Sequence, residues 1–168
     1  MPRTTLVAYA SKHGSTQETA EAISEMLHDE GLWVETHEAA AVESVFGYDG
    51  VVLGGSLYAG RWHADARAFL KRHGKGLESV PLAIFAMGPK SSSEDDLAGA
   101  RKQLDHTLKK FPDLHPVSIA IFGGVIDPEK LHFPFNKLPA TDARDWDAVR
   151  HWAEEVACAV EARSPVLA

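Results

Sequence analysis

Residues 9–16 read YASKHGST, and the rest of the chain is organised around this stretch. It follows the apolar run Leu6-Val7-Ala8-Tyr9-Ala10, which reads as a buried strand, and leads into a segment of helical period beginning near Thr16. A strand, a short hydroxyl-rich turn with one glycine, and then a helix make an anion site. The free N–H groups of the helix's first turn point into the turn, and the macrodipole favours negative charge there. Ser11, Ser15 and Thr16 add hydroxyl donors, and Gly14 lets the backbone curl close to a phosphate. The plainer reading is a capped helix, because Ser15 and Glu18 stand at capping-box spacing.

Working outward, the apolar stripe Ala20, Ile23 and Leu27 predicts a helix over residues 16–30, with Gly31 as its stop. Residues 32–37 alternate as a half-buried strand, and 39–48 read as a brief helix. Val51 to Ser56 is compact and apolar, as a central parallel strand should be. A loop from Leu57 to His63 leads to a helix burying Ala66, Phe69 and Leu70. Pro81 to Ala86 is a fourth strand, ending at Met87-Gly88-Pro89. Ser93 and Asp96 are spaced to cap the next helix, whose stripe is Leu97, Leu104, Leu108 and Phe111. Val117 to Phe122 is a fifth strand, broken by Gly123-Gly124, and residues 125–140 read as a long loop. A last helix runs from about Asp145 to Arg163.

Five strands alternating with helices predict a parallel sheet between two helical layers, a three-layer α/β sandwich in one domain spanning residues 1–168. A full first crossover and a short second one fit strand order 2-1-3-4-5. In such sheets ligands bind at the carboxyl ends of the strands where the chain reverses direction. The loops concerned are Ser11 to Thr16, Leu57 to His63 and Met87 to Ser93.

Composition narrows the partners. Apolar residues make up 45% of the chain and charged ones 24%, an ordinary balance for a folded domain. A net charge of −7 argues against nucleic acid or an anionic membrane as the main partner. No apolar run is long enough for a transmembrane segment, and Met1-Pro2-Arg3 enters the first strand without a signal-peptide core, so a cytoplasmic location is expected. The single cysteine, Cys158, lies among Val156, Ala157 and Ala159 and reads as a buried, inert thiol.

The loop after the third strand offers Leu57, Tyr58 and Trp62, groups that can cover a flat conjugated ligand, and Gly60 would permit a peptide flip beside it. Alternatively, Tyr58 and Trp62 pack the loop onto the sheet. The nine histidines show no metal-ligand spacing. His28, His73, His106 and His151 fall on solvated helix faces, while His13, His63 and His132 fall on the ligand rim, where a proton-transfer role competes with simple exposure. Lys12, Arg61 and Lys90 are the rim's cations, with Lys12 best placed for a phosphate. There is no GxxxxGK[ST], no GxGxxG after the first strand and no GxSxG elbow, so chemistry here would come from a bound cofactor.

Taken together, the turn Ser11-Lys12-His13-Gly14-Ser15-Thr16, the strand end Gly54-Gly55-Ser56 with its Tyr58 loop, and Met87-Gly88-Pro89 resemble the flavodoxin family. The resemblance implies a flavodoxin-like fold and FMN as cofactor. The first turn would hold the FMN phosphate, and Ser56, Leu57, Tyr58, Ala59 and Gly60, with Met87, Gly88 and Pro89, would flank the ring. His13 stands where the family's turn usually has a hydroxyl. Three further stretches resemble the protoporphyrinogen dehydrogenase branch of that family: Gly55 to Gly60, Phe122 to Asp127, and Thr141-Asp142 with Asp145-Trp146. That branch commonly carries a basic, apolar insertion before the last helix, whereas Leu131 to Ala140 is short here and has Lys137 as its one fixed cation.

Two functions follow from the resemblance. One is an FMN-dependent dehydrogenase that passes electrons from an organic substrate to a small-molecule acceptor such as a quinone. The other is a flavodoxin proper, carrying single electrons between protein partners. A phosphoacceptor receiver on the same topology is disfavoured, because it needs acids where this chain has Ser11 and Ser56.

Overall fold

The fold starts from a strand that is hydrophobic on both faces. In a computed structural model describing residues 2–88, 93–126, 129, 137 and 140–163, Thr4–Ala10 forms this strand, β1, at the interior of the sheet. Helix α1, Ser15–Asp29, returns the chain to strand β2, Trp33–Glu38, and a short 3-10 turn, Ala39–Ala41, follows. Next come β3, Gly50–Tyr58, the short β4, Arg61–Trp62, and α2, Ala64–Leu77. After β5, Leu82–Met87, and α3, Glu94–Leu108, the chain enters β6, Ser118–Phe122. Two short strands, β7 at Val125–Ile126 and β8 at Thr141–Asp142, precede the closing helix α4, Trp146–Glu161.

The parallel sheet has the order β2-β1-β3-β5-β6. Numbered among the parallel strands alone, this is the expected 2-1-3-4-5, because β4 pairs antiparallel with β3 at its end. Side chains alternate across the sheet, so each buried strand feeds two cores. Leu6, Leu53 and Ile84 pack with Phe69 and Leu70 of α2 and Leu104 of α3. Their strand neighbours Val7, Val52 and Phe85 pack with Ile23 and Leu27 of α1 and Trp152 and Val156 of α4. The result is the expected three layers. In the second core Phe85 and Phe122 meet Trp152 edge-on at centroid distances of 5.8 and 5.7 Å. Gly54 makes room for this cluster, since a Cβ there would lie 2.0 Å from Phe85 Cζ.

Several sequence expectations change. The stretch 57–63 is a hairpin rather than an open loop, with Leu57 opposite Trp62 and Tyr58 opposite Arg61. Its two-residue tip has positive φ at both positions, 51° at Ala59 and 77° at Gly60, the mirror-image turn whose twist suits a hairpin. The expected long loop 125–140 is closed at its base by β7 and β8, which pair Val125 with Asp142 and Ile126 with Thr141. Residues 127, 128, 130–136, 138 and 139 lie outside the described residues, and so does most of the 131–140 stretch. The brief helix expected over 39–48 is confined to Ala39–Ala41.

Two side chains also differ in environment. Cys158 is exposed, because the buried stripe of α4 runs through Val149, Trp152, Ala153, Val156, Ala157 and Val160 and leaves position 158 off that face. His73, expected on a solvated face, is 7% exposed and packs against Phe69 with the rings tilted, at a centroid distance of 4.7 Å. Arg72 donates from Nε to His73 Nε2 at 3.2 Å and from Nη2 to the Ala39 carbonyl at 3.0 Å, tying α2 to the 3-10 turn.

Candidate functional site

At the carboxyl end of β1 the chain turns through Ser11–Gly14 into α1. Gly14 adopts φ 94°, a conformation that costs glycine little, and its N–H donates to Ser11 Oγ at 3.0 Å. Gly14 is also the N-cap of α1, and no side chain caps this helix. That corrects the capping-box expectation: Ser15 is already the first helical residue, and Glu18 N–H bonds to the Gly14 carbonyl at 3.0 Å. The other three α-helices do carry side-chain caps, from His63 on α2, Ser93 on α3 and Asp145 on α4. The Ser93 cap is the one expected from the sequence.

Two hydroxyls at this edge of the sheet are sealed from solvent without a partner among the described residues, Thr16 Oγ1 and Ser56 Oγ. Thr16 is fully buried in the first turn of α1. Ser56 is the β3 residue that follows Gly55, the partner of Ala10 at the end of β1. Native proteins rarely leave such groups unmatched without a ligand or water to meet them. An uncapped helix start, a left-handed glycine and orphaned hydroxyls form a donor set suited to a phosphate monoester. On this structural observation the residues present fit the phosphate of FMN.

The hairpin forms the next wall. Tyr58 stands 43% exposed, and Lys12 Nζ lies 3.5 Å from its ring centroid, a cation–π contact that joins the turn to the hairpin. Trp62 is instead fully buried and donates from Nε1 to the Gly55 carbonyl at 3.0 Å. The two aromatics therefore divide: Trp62 packs the hairpin onto the sheet, whereas the Tyr58 ring stays partly exposed at the rim. Leu57 is half-buried against the α2–α3 core, while Ala59 and Gly60 are exposed at the tip. Gly88, after β5, sits so close that a Cβ there would be 2.8 Å from Leu57 Cβ. Met87 is 1% exposed and its side chain belongs to the core shared with α1 and α4, away from the rim. Between hairpin and α3 lies a cavity of about 370 Å³, bordered by Leu57, Gly60, Gly88, Asp95, Asp96 and Gln103.

Of the rim residues named from sequence, Ser11, Lys12, His13, Gly14, Ser15 and Thr16 converge with Ser56 to Gly60 and Gly88. Pro89, Lys90 and His132 lie outside the described residues. His63 is committed locally: its Nδ1 accepts from Asp65 N–H at 3.1 Å as the cap of α2. Among the described residues no group of His, Cys, Asp and Glu forms a metal-ligand cluster, and no helix is long and apolar enough to cross a membrane.

One feature of the neighbourhood was not anticipated from sequence. Arg144, between β8 and α4, chelates Asp142 through Nε at 3.0 Å and Nη2 at 2.8 Å, and reaches Glu18 of α1 through Nη1 at 2.7 Å. The hydrogen bond from Arg144 holds the Asp142 carboxyl below its usual range, and Asp142 in turn raises the Arg144 guanidinium. The Thr141–Trp146 stretch stood out in the sequence, but nothing there linked Arg144 to a residue 126 positions earlier.

The doubly wound parallel sheet, with an anion-suited turn and an aromatic hairpin at its switch point, defines a flavodoxin-like α/β protein. The Flavodoxin domain family matches residues 6–137, and the chain belongs to that family. It is distantly related to protoporphyrinogen IX dehydrogenase (quinone) of Escherichia coli strain K12, with 24% identity over 175 aligned positions covering 91% of this chain and 94% of that protein. Among solved structures, a flavodoxin from the domain Archaea superposes with a TM-score of 0.62 at 13% identity, covering 94% of this chain and 99% of that one. Two-electron-reduced Megasphaera elsdenii flavodoxin superposes with a TM-score of 0.61 at 16% identity, covering 92% and 99%. These superpositions establish the fold as flavodoxin-like.

Proposed function

We propose that the protein binds FMN at the switch point and acts as an FMN-dependent oxidoreductase that delivers electrons to a quinone. The observation that carries the cofactor is the start of α1, uncapped and flanked by the orphaned Thr16 and Ser56 hydroxyls. The N–H groups and hydroxyls of Ser15 and Thr16 would hold the phosphate, and the Ser11 hydroxyl keeps the turn preformed by accepting from Gly14. Lys12 supplies the nearby positive charge. Tyr58 offers an aromatic face, and the Ala59–Gly60 peptide, at the exposed tip, presents backbone polar groups beside it. FMN, when bound, supplies the electron-accepting and electron-donating chemistry. The chain's own part is to bind and orient the ring, and its net charge of −7 opposes the build-up of further negative charge on it.

The quinone acceptor rests on the E. coli relative, whose name carries that acceptor and a porphyrinogen substrate, and on the nearly full-length alignment with it. A second reading, a one-electron carrier between proteins, draws support from the 131–140 stretch, whose single fixed cation is Lys137.

The test begins by heating the purified protein and identifying any released flavin against FMN and FAD standards. Recovery of FAD, or no flavin uptake from saturating FMN, refutes the site. The holoprotein is then reduced without oxygen and mixed separately with a water-soluble quinone and with cytochrome c. Rapid oxidation by the quinone is expected. Oxidation by cytochrome c with negligible quinone reaction would establish the carrier instead.

A further inference from the structure

We propose that Arg144 is a positioning residue for the phosphate turn, cancelling the Glu18 carboxylate so that the start of α1 prefers FMN over its unphosphorylated analogue. The proposal rests on the FMN reading above and adds to it the origin of phosphate selectivity. Glu18 N–H closes the first hydrogen bond of α1 with Gly14, so its side chain springs from the same turn whose free N–H groups would meet the phosphate. A carboxylate near the start of a helix interacts well with the dipole, but beside a phosphate it is a like charge.

Arg144 is built to offset it. Its backbone N–H and Nε both donate to Asp142 Oδ1, at 3.1 and 3.0 Å, and Nη2 donates to Oδ2 at 2.8 Å. That chelate fixes the guanidinium plane and leaves Nη1 to reach Glu18 Oε2 at 2.7 Å. The guanidinium carbon also lies 4.9 Å from the Trp146 ring centroid, and the side chain is only 11% exposed. The backbone beneath is held as firmly. Ala143 N–H bonds to the Gly124 carbonyl at 3.0 Å, and Gly123 lies so close that a Cβ there would be 2.1 Å from Ala143 O. A cation immobilised to this degree spends little entropy on its contact with Glu18, unlike an ordinary surface pair.

The experiment compares dissociation constants for FMN and riboflavin, read by quenching of flavin fluorescence at low ionic strength, in the native protein and three variants. Arg144→Met should weaken FMN about three- to tenfold and riboflavin less than about twofold, with the difference shrinking as salt is added. Adding Glu18→Gln to Arg144→Met should return FMN affinity to within about twofold of native, because one cation and one anion are then removed together and the net charge of the Asp142–Arg144–Glu18 trio is again that of the native protein. Glu18→Gln alone leaves the Asp142–Arg144 chelate in place and should tighten FMN about twofold without moving riboflavin, which keeps the assignment testable should Arg144→Met fail to fold. Parallel weakening of both flavins, or no rescue by Glu18→Gln, would reduce Arg144 to a staple between loop and helix and overturn the proposal. Should the unaltered protein bind neither flavin, the FMN site itself is refuted and this assignment falls with it.

Discussion

A hydroxyl sealed inside a protein without a partner costs about 1–3 kcal/mol, so Thr16 Oγ1 weakens the ligand-free fold unless something arrives to meet it. Thr16→Val keeps the shape and removes the hydroxyl. It should raise the stability of the ligand-free protein by about 1 kcal/mol while weakening FMN by about tenfold, two shifts of opposite sign. Thermal unfolding with and without FMN measures both, and unchanged FMN affinity would remove Thr16 from the site. Tyr58→Ala should weaken FMN by about 0.5–1.5 kcal/mol beyond the lost area and alter its visible absorption envelope. An unaltered spectrum and affinity would remove Tyr58 from the site and leave it a structural part of the hairpin. The hydroxyls of the turn were legible in the sequence because their types and spacing suffice to name donors. The true N-cap was not, since Gly14 occupies it through a backbone angle that only the folded turn shows. Tyr58 and Trp62 looked alike for the same reason: which ring faces the sheet depends on hairpin register.

Elements bring their own accounting. The α2 helix is fastened to the 3-10 turn through Arg72 and the buried His73, whose ring burial, followed by the Arg72 charge, pushes its pKa below the ordinary 6.5. A histidine with a depressed folded value contributes stability that is complete above about 6.5 and is lost as pH falls from there through the folded value. The native protein should therefore lose stability as pH falls below about 6.5, and His73→Asn should flatten part of that slope, as denaturant titrations on either side of that pH would show. A slope identical in native and variant would contradict the assignment. The major strands and helices were legible because each is long enough to show a period. The β3–β4 hairpin was not, because its tip is Ala59-Gly60, with alanine in a left-handed conformation that no propensity favours. The β7 and β8 strands, two residues each and joined across 127–140, fall below any periodic signal.

At the scale of the whole molecule, two cores share one sheet, and the crossover lengths already contained the strand order. What the sequence could not supply was the depth of each face, which decides that Cys158 is outside and His73 inside. Because the turn, the hairpin and the end of β5 all sit on one edge, a ligand bridging them stabilises the folded state as a unit. At a hundredfold excess over its dissociation constant FMN should add about 2.7 kcal/mol, raising the unfolding midpoint by roughly 5–10 °C for a domain of this size. Riboflavin at the same concentration should raise it less, and equal shifts would argue against the phosphate turn.

The closed base formed by β7 and β8 has a consequence for engineering. Because Val125–Ile126 and Thr141–Asp142 are hydrogen-bonded to each other, the ends of the intervening segment are fixed by the sheet and not by its own length. Doubling the length of a closed loop adds only about 0.6 kcal/mol of closure entropy. A reporter peptide joined to the chain between these two strands would therefore be anchored at both ends by the β7–β8 pairing. The β7–β8 pair is thus a fixed attachment point for an electrode linker or a partner domain.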